Sequence, residues 1–236
     1  MRSAPIDSLP ANEAARLYAL HQVDILHSQQ EGVFNEMATL VAAIFNLPIA
    51  YISLVAEHES QCKAAHGVAV LPPQPRAMTL CAVVVRENQS VVYRDLAVAT
   101  PAPAAAPAIE RALAWQARFY AAAPLRLADE HSMGALCLVG QQPREFSAAE
   151  QQVLEYLAGI VSLVITVRHL CRRQPNARWT EVHALLQDEA HAMGTLVRYL
   201  TTRYGSHAPV PAEVLQPIMR RLTDLRNILE MYQYAQ

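Results

Sequence analysis

Apolar positions along the chain follow two periods. In residues 31–46, Phe34, Met37, Ala38, Val41, Ile44 and Phe45 recur at intervals of 3 and 4, the signature of a helix with one buried face. An earlier helix is predicted over residues 13–28, with Asn12 as its N-cap and Leu17, Leu20, Ile25 and Leu26 as apolar positions. Pro48 ends the helical pattern, and Ile49–Val55 alternates instead. Ile52 and Leu54 fall on one face of that strand; Tyr51, Ser53 and Val55 fall on the other. A turn at 57–60 and a return strand at 61–67 complete a hairpin. Next come a proline-rich loop at 71–75, a short helix at 79–88 and a short strand at 90–94. The alanine–proline tract 99–108 predicts an extended loop, and 109–116 a helical turn. Two apolar strands, 117–127 and 132–141, flank an Asp129-Glu130-His131 turn.

The last third of the chain is helical. Ser147 with Glu150 three residues on reads as a capping box opening a helix over 147–171. Val153, Leu157, Ile160, Val164, Val167 and Cys171 are spaced 4, 3, 4, 3, 4, a heptad seam. Leu154, Val161 and Ile165 make an adjacent face apolar as well. A helix apolar on two faces has two partners: its own sheet, and either a second helix or a second subunit. The expectation is a homodimer through Val153, Leu157, Ile160, Val164 and Val167. After a polar linker at 172–178, two more striped helices form a hairpin, the first carrying Val182, Leu186, Ala190, Met193, Val197, Leu200 and Tyr204. The second carries Leu215, Ile218, Leu222, Leu225, Leu229 and Tyr232, with Pro217 in its opening turn or kinking it. Such a hairpin buries both its faces only by pairing with another element. The fold class is therefore α+β: an antiparallel central sheet with helices on both faces in residues 1–171, then a C-terminal helical hairpin in 179–236.

Composition narrows the function. Hydrophobic residues make up 53% of the 236 and charged residues 17%, enough apolar surface for a folded core. Nineteen Lys and Arg against 21 Asp and Glu leave a net charge of −2, without the basic excess of a nucleic-acid binder. Seven glycines argue against a phosphate-cradling loop. No unbroken apolar run of about 18 residues reads as a membrane span. The opening MRSAPIDSLP has no signal-peptide core, so the expected location is cytoplasmic. The four cysteines form no CxxC pair and no metal-ligand spacing, so no metal is expected.

Specific residues then resemble a known family. NEAARLYAL (12–20), PIAYISLVAE (48–57), RAMTLC (76–81), VVYRDL (91–96), RFYAAAPL (118–125) and MGALCLVGQQPREFSAAEQ (133–151) resemble the GAF domain, a small-molecule sensing module of bacterial signalling proteins. The resemblance spans residues 12–169, about two thirds of the chain. It implies a six-stranded-type sheet with a ligand pocket on one face and a helical bundle on the other. It also implies first and last helices that pair between subunits. The chain departs from the family pattern at Ala56, where the subgroup has aspartate, and at Gln61 and Cys62, where it has aromatics. It departs again at Ala122 and Glu130, where the subgroup has glycine, at Gly140, and in the alanine–proline tract. These departures imply a pocket thinned of aromatic surface.

For ligand binding the candidates are Tyr51, Ser53, Cys81, Arg118 and Tyr120, an arginine with hydroxyls suited to a carboxylate or small anion. The leading reading is a non-enzymatic sensor or scaffold that relays the state of an unknown small ligand or partner into the hairpin, with no catalytic residue and no cofactor assigned. A second reading is a cysteine-dependent redox enzyme of the free methionine sulfoxide reductase type; Cys62 precedes Lys63, and Cys81 lies near a helix start. The bilin-attachment Cys-His pair and the cyclic-nucleotide signature are both missing. The hairpin resembles the dimerisation and phosphoacceptor hairpin of histidine kinases, which makes His191 a phosphoacceptor candidate for an outside kinase or response-regulator pathway. Ala192 stands where that motif has an acidic residue.

Overall fold

The computed structural model describes residues 12–26, 28, 31–70, 72–127, 130–173, 178–205 and 207–234. Strands β1 (Ile49–Val55), β2 (Glu59–His66), β3 (Gln74–Pro75), β4 (Val91–Tyr93), β5 (Phe119–Arg126) and β6 (Ser132–Gly140) form one sheet. Their order is β3-β2-β1-β6-β5-β4, with every neighbouring pair antiparallel. Strand alternation gives the sheet two chemically different faces. Ile52 and Leu54 of β1, Phe119, Ala121 and Ala123 of β5, and Leu136 and Leu138 of β6 enter one core. Tyr120, Ala122, Ala135 and Cys137 enter a second core on the other side. Gly134 lets β1 and β6 hold this register, because a Cβ there would come within 2.0 Å of the Ser53 carbonyl oxygen.

Among the described residues seven α-helices complete the fold: α1 (Glu13–Gln22), α2 (Gly32–Phe45), α3 (Leu80–Glu87), α4 (Ala106–Ala114), α5 (Ala148–Arg172), α6 (Trp179–Tyr204) and α7 (Ala212–Tyr234). Helices α2 and α5 lie on the first face of the sheet; α6 then packs on α2, and α7 on α5. Met37, Leu40, Leu157, Ile160, Met193 and Leu222 converge where the four helices meet. Burying each such side chain contributes roughly 1.5–3 kcal/mol relative to leaving it exposed.

This arrangement corrects the reading of the heptad seam as a subunit interface. Val153, Leu157, Ile160, Val164 and Val167 are all buried inside a single chain. The stripes of α6 and α7 supply the partner faces that the helix pattern demanded. Helix α5 is long and apolar enough to cross a membrane, but the sheet and the hairpin cover its apolar faces.

Two buried polar groups fix the ends of this layer. The Ser147 hydroxyl accepts from the Glu150 N–H and the Glu150 carboxylate accepts from the Ser147 N–H, so the capping box forms as the sequence predicts. Glu150 is fully buried and also accepts from Arg144 at 2.6 Å and from the Val210 N–H of the hairpin connection at 3.0 Å. Arg168 of α5, also buried, donates to Glu31 at 2.5 Å and to the Asp24 carbonyl at 3.3 Å.

Three local expectations shift. Helix α1 stops at Gln22 because the chain turns at Asp24, whose φ is 46°. The alanine–proline tract does not stay extended. Residues Pro103–Ala105 form a 3-10 turn and Ala106 opens α4. Proline is tolerated in a helix's first turn, where its missing N–H costs nothing, and alanine is the best helix former. Only two residues, Gln74–Pro75, of the loop expected at 71–75 pair as a strand. Asp129 of the predicted turn and residues 174–177 of the predicted linker lie outside the described residues.

Candidate functional site

The second face of the sheet carries a cavity of about 270 Å³. Its floor is the sheet itself, with Tyr51 and Ser53 from β1 and Tyr120 from β5. Its roof comes from the 3-10 turn Arg76–Met78, the first turn of α3 and one side of α4. The segment before α3 is pinned to β2 by the Ser60 and Thr79 hydroxyls, 2.8 Å apart, and Thr79 also donates to the Arg76 carbonyl at 3.0 Å.

The family-like motifs at the rim are structural. Glu13 of α1 pairs with Arg16 at 2.7 Å and with Arg76, and Arg16 reaches the Val55 carbonyl at 2.8 Å. Burial pushes the Glu13 carboxyl up, but the hydrogen bonds and charges of Arg16 and Arg76 outweigh it and hold the group below its ordinary value. The motif arginines thus clamp α1 and the pre-α3 turn to the end of β1.

Where the first turn of α3 meets the sheet, two thiols come together. Cys81 sits in the first turn of α3 and Cys137 on β6, with their sulfurs 3.6 Å apart. The Tyr51 hydroxyl lies 3.5 Å from the Cys81 sulfur, and the Tyr120 hydroxyl 3.4 Å from that of Cys137. Register explains the cluster, because Tyr51 pairs with Cys137 across the sheet. The thiols polarise in opposite senses. The hydrogen bond from Cys137 lowers the Cys81 pKa to about 6 against burial, with Ser53, Tyr51 and Tyr120 adding to the effect. Burial pushes Cys137 up, and its interaction with Cys81 pushes it further. Burial also raises both tyrosines, so they remain neutral donors.

At the mouth, Arg111 of α4 donates to the Gln74 side-chain oxygen and lies 5.5 Å from the Trp115 ring centroid. An amide and an aromatic face hold this guanidinium, and the cavity opens beside it. Leu80, Leu96, Ala108 and Ala112 make the adjoining wall apolar.

Of the expected ligand residues, Tyr51, Ser53, Cys81 and Tyr120 line this cavity together. Arg118 does not. It precedes β5, and its guanidinium makes two 2.8 Å hydrogen bonds to Asp95, which it holds below the ordinary carboxylate value. Among the described residues that line the cavity, Arg111 is the cation. Sequence reading missed it because it lies just beyond a tract read as extended, where no helix face was assigned. Sequence reading also passed over Cys137, although period-2 alternation along 132–140 sets it on the face opposite Leu136 and Leu138. His191 stands exposed on α6, in the helical layer on the opposite side of the sheet, and one ring nitrogen contacts the Gln187 carbonyl at 2.8 Å. Among the described residues no group of His, Cys, Asp and Glu could hold a metal ion.

A curled antiparallel sheet thus has a helical layer behind it and a small cavity, open at one mouth, in front. The chain belongs to the GAF domain family, whose profile matches residues 27–166. It is 27% identical over 153 residues to a cyclic di-GMP phosphodiesterase of Pseudomonas aeruginosa, a match covering 64% of this chain. The chain spans 25% of that relative's length. Among solved structures it resembles the GAF domain of an Acinetobacter phosphoenolpyruvate-protein phosphotransferase, with a TM-score of 0.50 at 17% identity over 70% of this chain and 100% of the other. It also resembles the free methionine-R-sulfoxide reductase of Neisseria meningitidis, with a TM-score of 0.46 at 17% identity over 65% of this chain and 91% of the other.

Proposed function

We propose that this GAF domain is the sensory portion of a signalling protein and that its cavity takes a small organic acid. One observation carries the reading: Arg111 stands at the mouth of a mostly apolar cavity, oriented by Gln74 and Trp115. A carboxylate on that guanidinium would leave an aliphatic or aromatic body against Leu80, Leu96 and Ala112. The deeper hydroxyls of Tyr51 and Ser53 would read any polar group at its far end. A volume of about 270 Å³ lies just under the range of roughly 300–1,000 Å³ that suits drug-sized ligands, so the fit is to a smaller molecule.

Transmission has a physical path. Strands β5 and β6 are shared walls: Tyr120 and Cys137 face the cavity side, while Phe119, Leu136 and Leu138 pack into the helical layer. A ligand acts on the hairpin only as far as it binds one packing of that layer better than another. The likeness to the phosphodiesterase is read as one between regulatory portions.

Trp115, half-exposed at the mouth, supplies the assay. Titrating a panel of straight-chain carboxylates from acetate to octanoate, together with benzoate, should change its fluorescence in a Trp179→Phe background. Arg111→Ala should weaken the best binder about 10- to 100-fold, the worth of one charge-assisted hydrogen bond. Arg118→Ala should leave the affinity unchanged. Equal binding by wild type and Arg111→Ala, or no binding across the panel at millimolar concentration, would refute the reading.

A further inference from the structure

We propose that Cys81 and Cys137 close into a reversible disulfide when a small hydroperoxide enters the cavity, which makes this module responsive to oxidants independently of any acid ligand. The sulfurs lie 3.6 Å apart on two different elements, α3 and β6, against about 2.05 Å in a disulfide, so closing needs a shift of about 1.5 Å. Their surroundings are unequal. Both are buried, but Cys81 lines the cavity wall, whereas Cys137 lies behind it. A reagent arriving through the mouth therefore meets Cys81 first. The hydroxyls of Tyr51 and Tyr120 touch this sulfur pair and can stabilise a thiolate there.

The chemistry follows from that order. The Cys81 thiolate attacks one peroxide oxygen, the O–O bond breaks, and sulfur loses two electrons to become sulfenic acid. The departing alkoxide takes the proton that Cys81 released and leaves as an alcohol. The Cys137 thiol then attacks the Cys81 sulfur. Its proton joins the leaving hydroxide as water, and the S–S bond forms. In sum, two thiols and one hydroperoxide give a disulfide, an alcohol and water. A thiol reductant returns the pair to its starting state. The bridge would tie the first turn of α3, which roofs the cavity, to β6, which packs on the helical layer through Leu136 and Leu138.

The test uses the full chain, reduced, desalted and treated with stoichiometric hydrogen peroxide, then unfolded in guanidinium so that the buried thiols are exposed, alkylated with iodoacetamide and mapped by mass spectrometry. The expected product is a Cys81–Cys137 cross-linked peptide pair, with alkylation only at Cys62 and Cys171, and full alkylation restored by dithiothreitol. In Cys137→Ser, Cys81 should stop at a sulfenic acid that dimedone captures. In Cys81→Ser, Cys137 should stay reduced. A cross-link through Cys62 or Cys171 would overturn the proposal. So would alkylation of both Cys81 and Cys137 in the peroxide-treated wild type, a result that needs no variant to fold.

Discussion

Replacing Glu150 with alanine should destabilise the protein by about 3–5 kcal/mol and loosen the hairpin first. The carboxylate is fully buried and accepts from four donors: Arg144 at 2.6 Å, the Ser147 N–H at 2.8 Å, the Ser147 hydroxyl at 3.1 Å and the Val210 N–H at 3.0 Å. Removing it strands the Arg144 guanidinium, which is only 7% exposed and packed against the Phe119 and Phe146 rings. Breaking a buried pair by deleting one partner costs about 3–5 kcal/mol, mostly for the charge left behind. That is a large part of the roughly 5–15 kcal/mol a domain possesses. Glu150→Gln keeps acceptors for Val210 and Ser147 and should cost about half as much. Urea denaturation followed by circular dichroism gives the loss, provided the slope stays constant. Hydrogen exchange gives its location: amides from Val210 into α7 should lose protection before those of β5 and β6. A loss under about 1 kcal/mol, or exchange that quickens evenly across sheet and hairpin, would show that this carboxylate does not dock the hairpin.

Other outcomes follow from the same geometry. Glu130 holds φ at 64°, where the family pattern has glycine, and Glu130→Gly should raise the unfolding free energy by about 0.5–1 kcal/mol, read as a higher urea midpoint; a lower midpoint would refute the strain. Burial brings the Lys63 pKa from 10.5 to about 8, with Glu31 opposing and Arg168 and Arg172 adding. Between those values the folded chain binds fewer protons than the unfolded one, so wild-type stability relative to Lys63→Met should rise with pH through that window; a flat difference would contradict it. Iodoacetamide should label Cys81 with a pH midpoint near 6, well below that of an ordinary thiol, and an ordinary midpoint would contradict the Cys137 hydrogen bond.

How far the sequence reveals this molecule depends on what each signal measures. Strand β1, the Ser147–Glu150 capping box and the stripes of α5, α6 and α7 were all readable, because alternation and heptad spacing report directly on which side chains are buried. The same signals cannot say who buries them. The α5 seam is equally compatible with a second subunit and with the chain's own hairpin, and the stripe positions on Leu157 and Leu222 are identical in both cases. Four of the five expected cavity residues were legible, since Tyr51, Ser53 and Tyr120 follow from strand parity and Cys81 from the helix start after Thr79. Arg118 and Arg111 exchanged roles for a specific reason. Arg118 lies one residue before β5, where parity no longer applies, and its charge is taken by Asp95, 23 residues away. Arg111 depends on a helix that begins at Ala106 inside an alanine–proline tract. The motifs that carried the family resemblance mostly build the frame: Glu13, Arg16, Arg76, Arg144 and Glu150 are engaged in ion pairs with one another.

Binding of a small acid through Arg111 is read residue by residue in nitrogen-15 NMR of the full chain titrated with the best carboxylate of the panel. Shifts are expected at the Arg111 Nε–H, the Trp115 indole and the backbone of β1 and the first turn of α3, with the dissociation constant rising at least about 10-fold in Arg111→Ala. Shifts centred instead on Arg118 and Asp95, or an Arg111→Ala chain that binds as tightly as wild type, would contradict it.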